Sequence, residues 1–185
     1  MSGVAAPAAA IHVRPSAPLH GEIVVPGAKN SVLKLMAAAL LGDGRFELSN
    51  VPRIADVGIM ADLLRAIGLA ITIDAPAGVD QIDNRGDLTP VAPYELVERI
   101  RASINVLGPL LTRCGHVVVS LPGGDDFGAR PIDLHVKGLE AMGATFKFSH
   151  GNVEAFADRL HGAEVTFVFN DAATTENILM AAVLA

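Results

Sequence analysis

The chain has 185 residues, 51% of them hydrophobic, with a formal net charge of −6 and an isoelectric point near 5.4. With no basic stripe, one Tyr and no Trp, the composition argues against a nucleic-acid partner, which calls for clustered cations and stacking aromatics. No run of about 18 uninterrupted apolar residues marks a membrane span, and the single cysteine, Cys114, rules out a disulfide framework within the chain.

The Ala-rich start lacks a basic n-region and a long apolar stretch, so residues 1–9 read as a disordered tail rather than a signal peptide. Strand-like runs follow at Ala10–Arg14 and Glu22–Val25. Pro26-Gly27-Ala28-Lys29-Asn30 then opens an Ala-rich helix running to Leu41. A lysine at a helix start works against the macrodipole, so Lys29 is better explained if an anion is held there. Next come a strand at Arg45–Leu48, an amphipathic helix from Asp56 to Ile67 ending at Gly68, and strands at Ala70–Asp74 and Val79–Ile82.

A second apolar helix is predicted from Arg101 to Arg113, again with a cation at its start. Cys114 reads as a small buried hydrophobe at its end. A strand at His116–Leu121 feeds the loop Leu121–His135, which holds three glycines, Asp125, Asp126 and Arg130. Pro131 suits the first turn of the helix Ile132 to Met142 that follows, capped by Gly143. Such a loop fits a lid over an anionic substrate; the plain alternative is a strand-to-helix connection with a solvated Asp pair. Strands at Thr145–Ser149, Val153–Ala157 and Glu164–Phe169 lead to a last helix, from Thr175 through Ala185.

These elements repeat at about 70–75 residues, with Met36-Ala37-Ala38-Ala39-Leu40 nearly matching Met180-Ala181-Ala182-Val183-Leu184. Helices alternating with strands give an α/β (α+β) class in layers, about two and a half units long. The third unit ends inside its first helix, so the chain reads as a truncated or split member, with a C-terminal half supplied elsewhere. No Cys/His cluster has metal-ligand spacing, and most of the six scattered histidines look like surface or capping residues. Lys29, Arg101 and Arg130, each at a helix start, together suggest a phosphate or carboxylate site.

Gly27-Ala28-Lys29-Asn30, Asn50-Val51-Pro52 with Asp56-Val57, Arg101-Ala102-Ser103 and the Leu121–His135 loop together resemble the enolpyruvyl transferases. The likeness runs from about His12 onward and is nearer to the branch acting on UDP-N-acetylglucosamine than to the shikimate-pathway branch. That sister branch has Gly-Ser-Lys-Ser in place of Gly-Ala-Lys-Asn.

The resemblance implies repeated βαβαββ units in an inside-out barrel. Residues 10–28 would be strands belonging to the other domain, and residues 29–185 a partial domain. It implies a cytoplasmic enzyme without metal or cofactor that joins phosphoenolpyruvate to UDP-N-acetylglucosamine. Asp125 would be the proton donor, at a position where many relatives carry Cys. Lys29, Asn30 and Arg130 would hold phosphoenolpyruvate. Arg101 and the segment Arg130, Pro131, Ile132, Asp133 and Leu134 would hold the nucleotide sugar, although Asp133 also reads as a helix cap. Asp171 and Ala173 depart from the family's Ser-Val-Gly-Ala-Thr segment. The family's aspartate base would fall beyond Ala185, which allows a non-catalytic module binding a sugar nucleotide or a partner chain as the alternative.

Overall fold

A computed structural model describes residues 12–120 and 132–185. Its order is α1 (Lys29–Ala38), β1 (Gly44–Leu48), α2 (Ala55–Ile67), β2 (Ala70–Asp74), β3 (Val79–Asn84), β4 (Val91–Ala92), α3 (Tyr94–Val97), α4 (Leu107–Cys114), β5 (His116–Ser120), α5 (Asp133–Ala141), β6 (Thr145–Ser149), β7 (Asn152–Phe156) and α6 (Ala172–Ala182). Short 3₁₀ segments at Ala39–Leu41 and Arg101–Val106 extend α1 and precede α4.

The repeat read from the sequence appears as repeated topology. The first sheet has order β1-β3-β2 and the second β4-β5-β7-β6, and apart from β4 all pairings are antiparallel. Within each unit the last strand therefore sits between the other two. Alternation does the rest. Ile71, Ile82, Val117, Val119, Val153 and Ala155 are buried, while Arg45, Glu47, Thr72 and Gln81 stay exposed. The helices pack on one another, α4 against α6, α5 against α6 and α1 against α2, and α2, α4 and α5 also pack on the sheets. The fold is α/β.

Two helix ends depend on glycine. Gly68 (φ +123°) closes α2, and a Cβ there would lie 2.6 Å from the Asp87 carbonyl oxygen. Gly143 (φ +98°) follows α5 and would meet His161 at 2.9 Å. Both need a residue without a side chain.

Several expectations need correction. No strand forms at 12–14 or 22–25. Val13, Leu19, Ile23, Val24 and Val25 are all more than three-quarters exposed, and no strand among the described residues pairs with them. The segment 164–169 is also not a strand, since the second sheet already ends at β6, and Val168 and Phe169 are exposed. The predicted helix from Arg101 is 3₁₀ up to Val106 and α-helical only from Leu107. Cys114 does end α4, but it is exposed rather than buried.

The inward face of β3 carries Asp80, Ile82 and Asn84, all at most 1% exposed. Asn84 is used: its Nδ2 donates to the carbonyls of Ala39 and Gly42, each at 2.9 Å, closing the 3₁₀ turn after α1. Asp80 has no hydrogen-bond partner for either oxygen. Burial pushes its carboxyl above the ordinary 3.8, and the charge of Arg65 only partly offsets this. A raised folded-state pKa means stability falls as pH rises through it, so the penalty is full at neutral pH. Asp80→Val keeps a strand-forming side chain and should stabilise the chain by about 1 kcal/mol or more in urea unfolding at pH 7. The gain should shrink as pH falls from neutral toward 3.8 and be smallest below it.

Candidate functional site

The first copy of the Ala-rich helix, α1, and the third, α6, do not close against each other. Between them and the 3₁₀ segment before α4 lies a cleft of about 440 Å³, lined among others by Lys29, Asn30, Lys34, Asp56, Arg101 and Asp171. Lys29 begins α1, whose N-terminal flank, Ala28, offers no side-chain cap. Its ammonium pairs with Asp56 of α2 at 2.6 Å. One turn and a half along α1, Lys34 pairs with Glu176 of α6 and so bridges the two walls. Lys29 is the exposed partner of the first pair, and a pair reaching solvent in this way contributes little to stability and can open for a ligand.

Arg101 opens the 3₁₀ segment, and its Nη1 is buried without a partner among the described residues. Four residues on, Asn105 is 2% exposed and its Oδ1 is also unpartnered. Of the residues singled out from sequence, Lys29, Asn30 and Arg101 therefore meet in one cleft. Ile132 and Leu134 are buried, each 7% exposed, and line no part of it; Asp133 is exposed as the first residue of α5. Asp133 makes no capping hydrogen bond, and the N-cap position falls to Ile132. Asp125, Arg130 and Pro131 lie outside the described residues. Sequence reasoning assigned no role to Lys34, Asp56 or Asn105. The spacing of Asn105 from Arg101, one helical turn, was the available signal.

Behind the cleft sits a saturated polar junction. Asn177, fully buried in α6, accepts the Gly108 N–H at 2.8 Å through Oδ1. Its Nδ2 donates to the Ile104 carbonyl at 3.2 Å and to His135 Nδ1 at 3.0 Å. That contact makes His135 the neutral imidazole with its proton on Nε2. His135 is 2% exposed, the buried exception among histidines expected mostly at the surface. Burial pushes its pKa down to about 4, the charge of Asp171 raises it and that of Arg101 lowers it. Among the described residues no group of three His, Cys, Asp or Glu side chains could hold a metal ion, and no helix is long and apolar enough to cross a membrane.

Comparison with known proteins gives the family. Residues 13–185 match the family model for EPSP synthase (3-phosphoshikimate 1-carboxyvinyltransferase). The chain belongs to this family. It is 50% identical to UDP-N-acetylglucosamine 1-carboxyvinyltransferases of Corynebacterium efficiens over 173 residues, of Acidiphilium cryptum over 177 and of Nocardia farcinica over 171. Those matches cover 94%, 95% and 90% of this chain. They cover 41%, 42% and 40% of the relatives, so the chain spans about two-fifths of their length. In fold it resembles the enolpyruvyl transferase NikO from Streptomyces tendae, at TM-score 0.67 and 24% identity over 77% of this chain and 31% of that one. It also resembles EPSP synthase from Acinetobacter baumannii, at TM-score 0.67 and 19% identity over 89% and 38% of the two chains. The α/β fold expected from the enolpyruvyl transferase resemblance stands.

The junction can be tested by pH. His135 is depressed from 6.5 to about 4 when folded. Between those values the unfolded chain binds a proton that the folded chain excludes, so stability is full above pH 6.5 and is lost as pH falls toward 4. The loss should amount to about 3 kcal/mol. His135→Gln, which can still accept from Asn177 and does not titrate, should flatten that part of a urea-midpoint profile.

Proposed function

We propose that this chain forms one wall of an enolpyruvyl-transfer site. It would move the enolpyruvyl group of phosphoenolpyruvate to the 3-hydroxyl of UDP-N-acetylglucosamine, with release of phosphate, in cytoplasmic peptidoglycan precursor synthesis. The observation that carries the reading is the convergence of Lys29, Asn30 and Arg101 in one cleft. The names of the 50%-identical relatives supply the acceptor.

The chemistry asks little of the protein beyond position and one proton. C3 of the enol is protonated, and the electron-poor C2 is then attacked by the sugar hydroxyl to give a tetrahedral adduct. Loss of a C3 proton with cleavage of the C2–O(phosphate) bond restores the enol and frees phosphate. Lys29 would neutralise the phosphoenolpyruvate anion on leaving Asp56, and Arg130 would complete the clamp. Asn30 would hydrogen-bond the adduct. Arg101 would meet the nucleotide sugar with the Nη1 that has no protein partner, aided by the segment from Arg130 to Leu134. Asp125 would be the acid, as a carboxyl can donate to C3 once a closed loop desolvates it.

The test joins this chain to the remaining three-fifths of the Corynebacterium efficiens relative. This hybrid should release phosphate from phosphoenolpyruvate only when UDP-N-acetylglucosamine is present, and the 185-residue chain should show no turnover by itself. Phosphate release without the sugar nucleotide, or none from the hybrid, would refute the reading. In the hybrid, Lys29→Ala should cost about 10²-fold or more. Asp125→Ala should remove turnover, since a positioned acid contributes roughly 10²–10⁴-fold. Asp125→Cys should retain it and become sensitive to an epoxide inhibitor such as fosfomycin, because a thiolate opens epoxides far more readily than a carboxylate. Asp126→Ala should be mild. An inactive Asp126→Ala beside an active Asp125→Ala would move the acid by one residue.

A further inference from the structure

The carboxylate of Asp171 holds two positions at once. It is the N-cap of α6, its Oδ2 accepting the Thr174 backbone N–H at 2.9 Å and the Thr174 hydroxyl. It also lines the cleft with Arg101, Asn105, Ala172 and Ala173. The amino end of an 11-residue helix carries partial positive charge and free N–H groups. Opening onto a cleft that also holds Lys29 and Arg101, it would ordinarily attract an anion. Here the anion is part of the chain.

Other charges in the cleft sharpen the point. Lys29 is paired with Asp56 and Lys34 with Glu176, which leaves Arg99 and Arg101 as the cations without a carboxylate in direct contact among the described residues. Asp171 faces Arg101 electrostatically and offsets its charge. Beside it, the buried Asn105 presents an unpartnered acceptor, Oδ1. The α6 side of the cleft is therefore rich in acceptors and already filled at the helix end, whereas the α1 side carries the exchangeable cation.

We propose that Asp171 is a specificity-determining residue. Its carboxylate fills the anion position at the start of α6, so this side of the cleft takes neutral, hydrogen-bond-donating parts of a substrate and disfavours a phosphoryl group. The anionic part of the ligand is thereby confined to Lys29 and the exposed part of Arg101. The inference deepens the enolpyruvyl-transfer reading and rests on it for the identity of the substrate, but its test does not involve turnover.

The experiment is calorimetric titration of the 185-residue chain with inorganic pyrophosphate. Asparagine and serine cap helices as well as aspartate does, so Asp171→Asn and Asp171→Ser should keep a urea midpoint close to that of wild type. Both should bind pyrophosphate about tenfold tighter than wild type or better, with the gain shrinking as salt rises. Arg101→Ala on either background should abolish the gain. Asp171→Glu, charged but longer, should bind as weakly as wild type. Equal or weaker binding by both neutral variants overturns the proposal, as does a gain that survives Arg101→Ala, or no binding by any variant. A hybrid enzyme that fails to turn over leaves these affinities unaffected, so the two readings fail separately.

Discussion

Asn177 fixes the geometry on which the cleft depends. Its side chain has one acceptor oxygen in use and two amide hydrogens, and all are satisfied by groups from three other segments: Gly108 in α4, Ile104 before it, and His135 in α5. A buried amide with any of these unpaired would cost about 1–3 kcal/mol, so only one placement of α6 satisfies the set. Gly108 admits that placement, since a Cβ there would lie 2.5 Å from both the Asn177 carbonyl oxygen and its Oδ1. Gly138 of α5 does the same for Ile178, at 2.7 Å. With α6 locked against α4 and α5, its first turn has to face the seam toward α1, and that seam is the cleft.

The repeated architecture explains why one seam is sealed and another open. Equivalent helices of successive units meet in pairs. The first unit is tied to the second by Arg113, which donates to the Leu41 carbonyl at 3.1 Å and pairs with Asp43 at 2.6 Å. The second is tied to the third by Asn177. Between the first and third, the tie is the Lys34–Glu176 ion pair. An ion pair reaching solvent is a weaker and more exchangeable closure than a buried amide network. The polar lining of the cleft follows from the same asymmetry. Residues that would be core at a sealed seam are here Lys29, Arg101 and Asn105, and the unpartnered atoms of the latter two are tolerable in a site that receives polar groups.

Much of this was legible in the sequence, for identifiable reasons. Strands with strict alternation, such as Ala70–Asp74 and Thr145–Ser149, have the bounds that their side-chain pattern predicts. The glycines after α2 and α5 mark helix ends because only glycine fits the backbone there. The failures share a cause. Glu22–Val25 and Glu164–Phe169 have strand-like side chains, yet a strand exists only where a neighbour accepts its hydrogen bonds, and no periodicity reports that neighbour. The 3₁₀ winding at Arg101–Val106 escaped for a related reason. Apolar spacing fits either helix, and the choice is made by packing, where Ser103 donates to the Ile100 and Val97 carbonyls. Of the site, the cations were legible as motifs. The charges that meet them, Asp56 for Lys29 and Asp171 for Arg101, were not readable as partners, since each sits on another element and meets its cation only in the folded chain.

Buried polar groups in this chain also separate architecture from function. Asn84 and Asn177 are buried, both are bonded to main-chain carbonyls or amides, and both join a unit to the helix end it covers. Asp80 is as deeply buried and bonds to nothing among the described residues. If burial of polar groups alone specified the fold, the three would be equivalent. They differ in whether the group's hydrogen-bonding capacity is met. A neutral amide can meet a carbonyl as donor and an N–H as acceptor, so it can lock two elements. An ionised carboxylate can only accept, and on the inward face of β3 it finds no hydrogen-bond donor among the described residues, while the charge of Arg65 offsets its burial only in part. The same rule explains Asp171, a carboxylate that succeeds where Asp80 does not. At the start of α6 it accepts from an N–H and a hydroxyl, and these, with the charge of Arg101, outweigh the cost of burial and hold its carboxyl below the ordinary range. Acceptor-only groups are stable in this fold where a helix begins, and the open seam between α1 and α6 is where such a helix start faces the cleft.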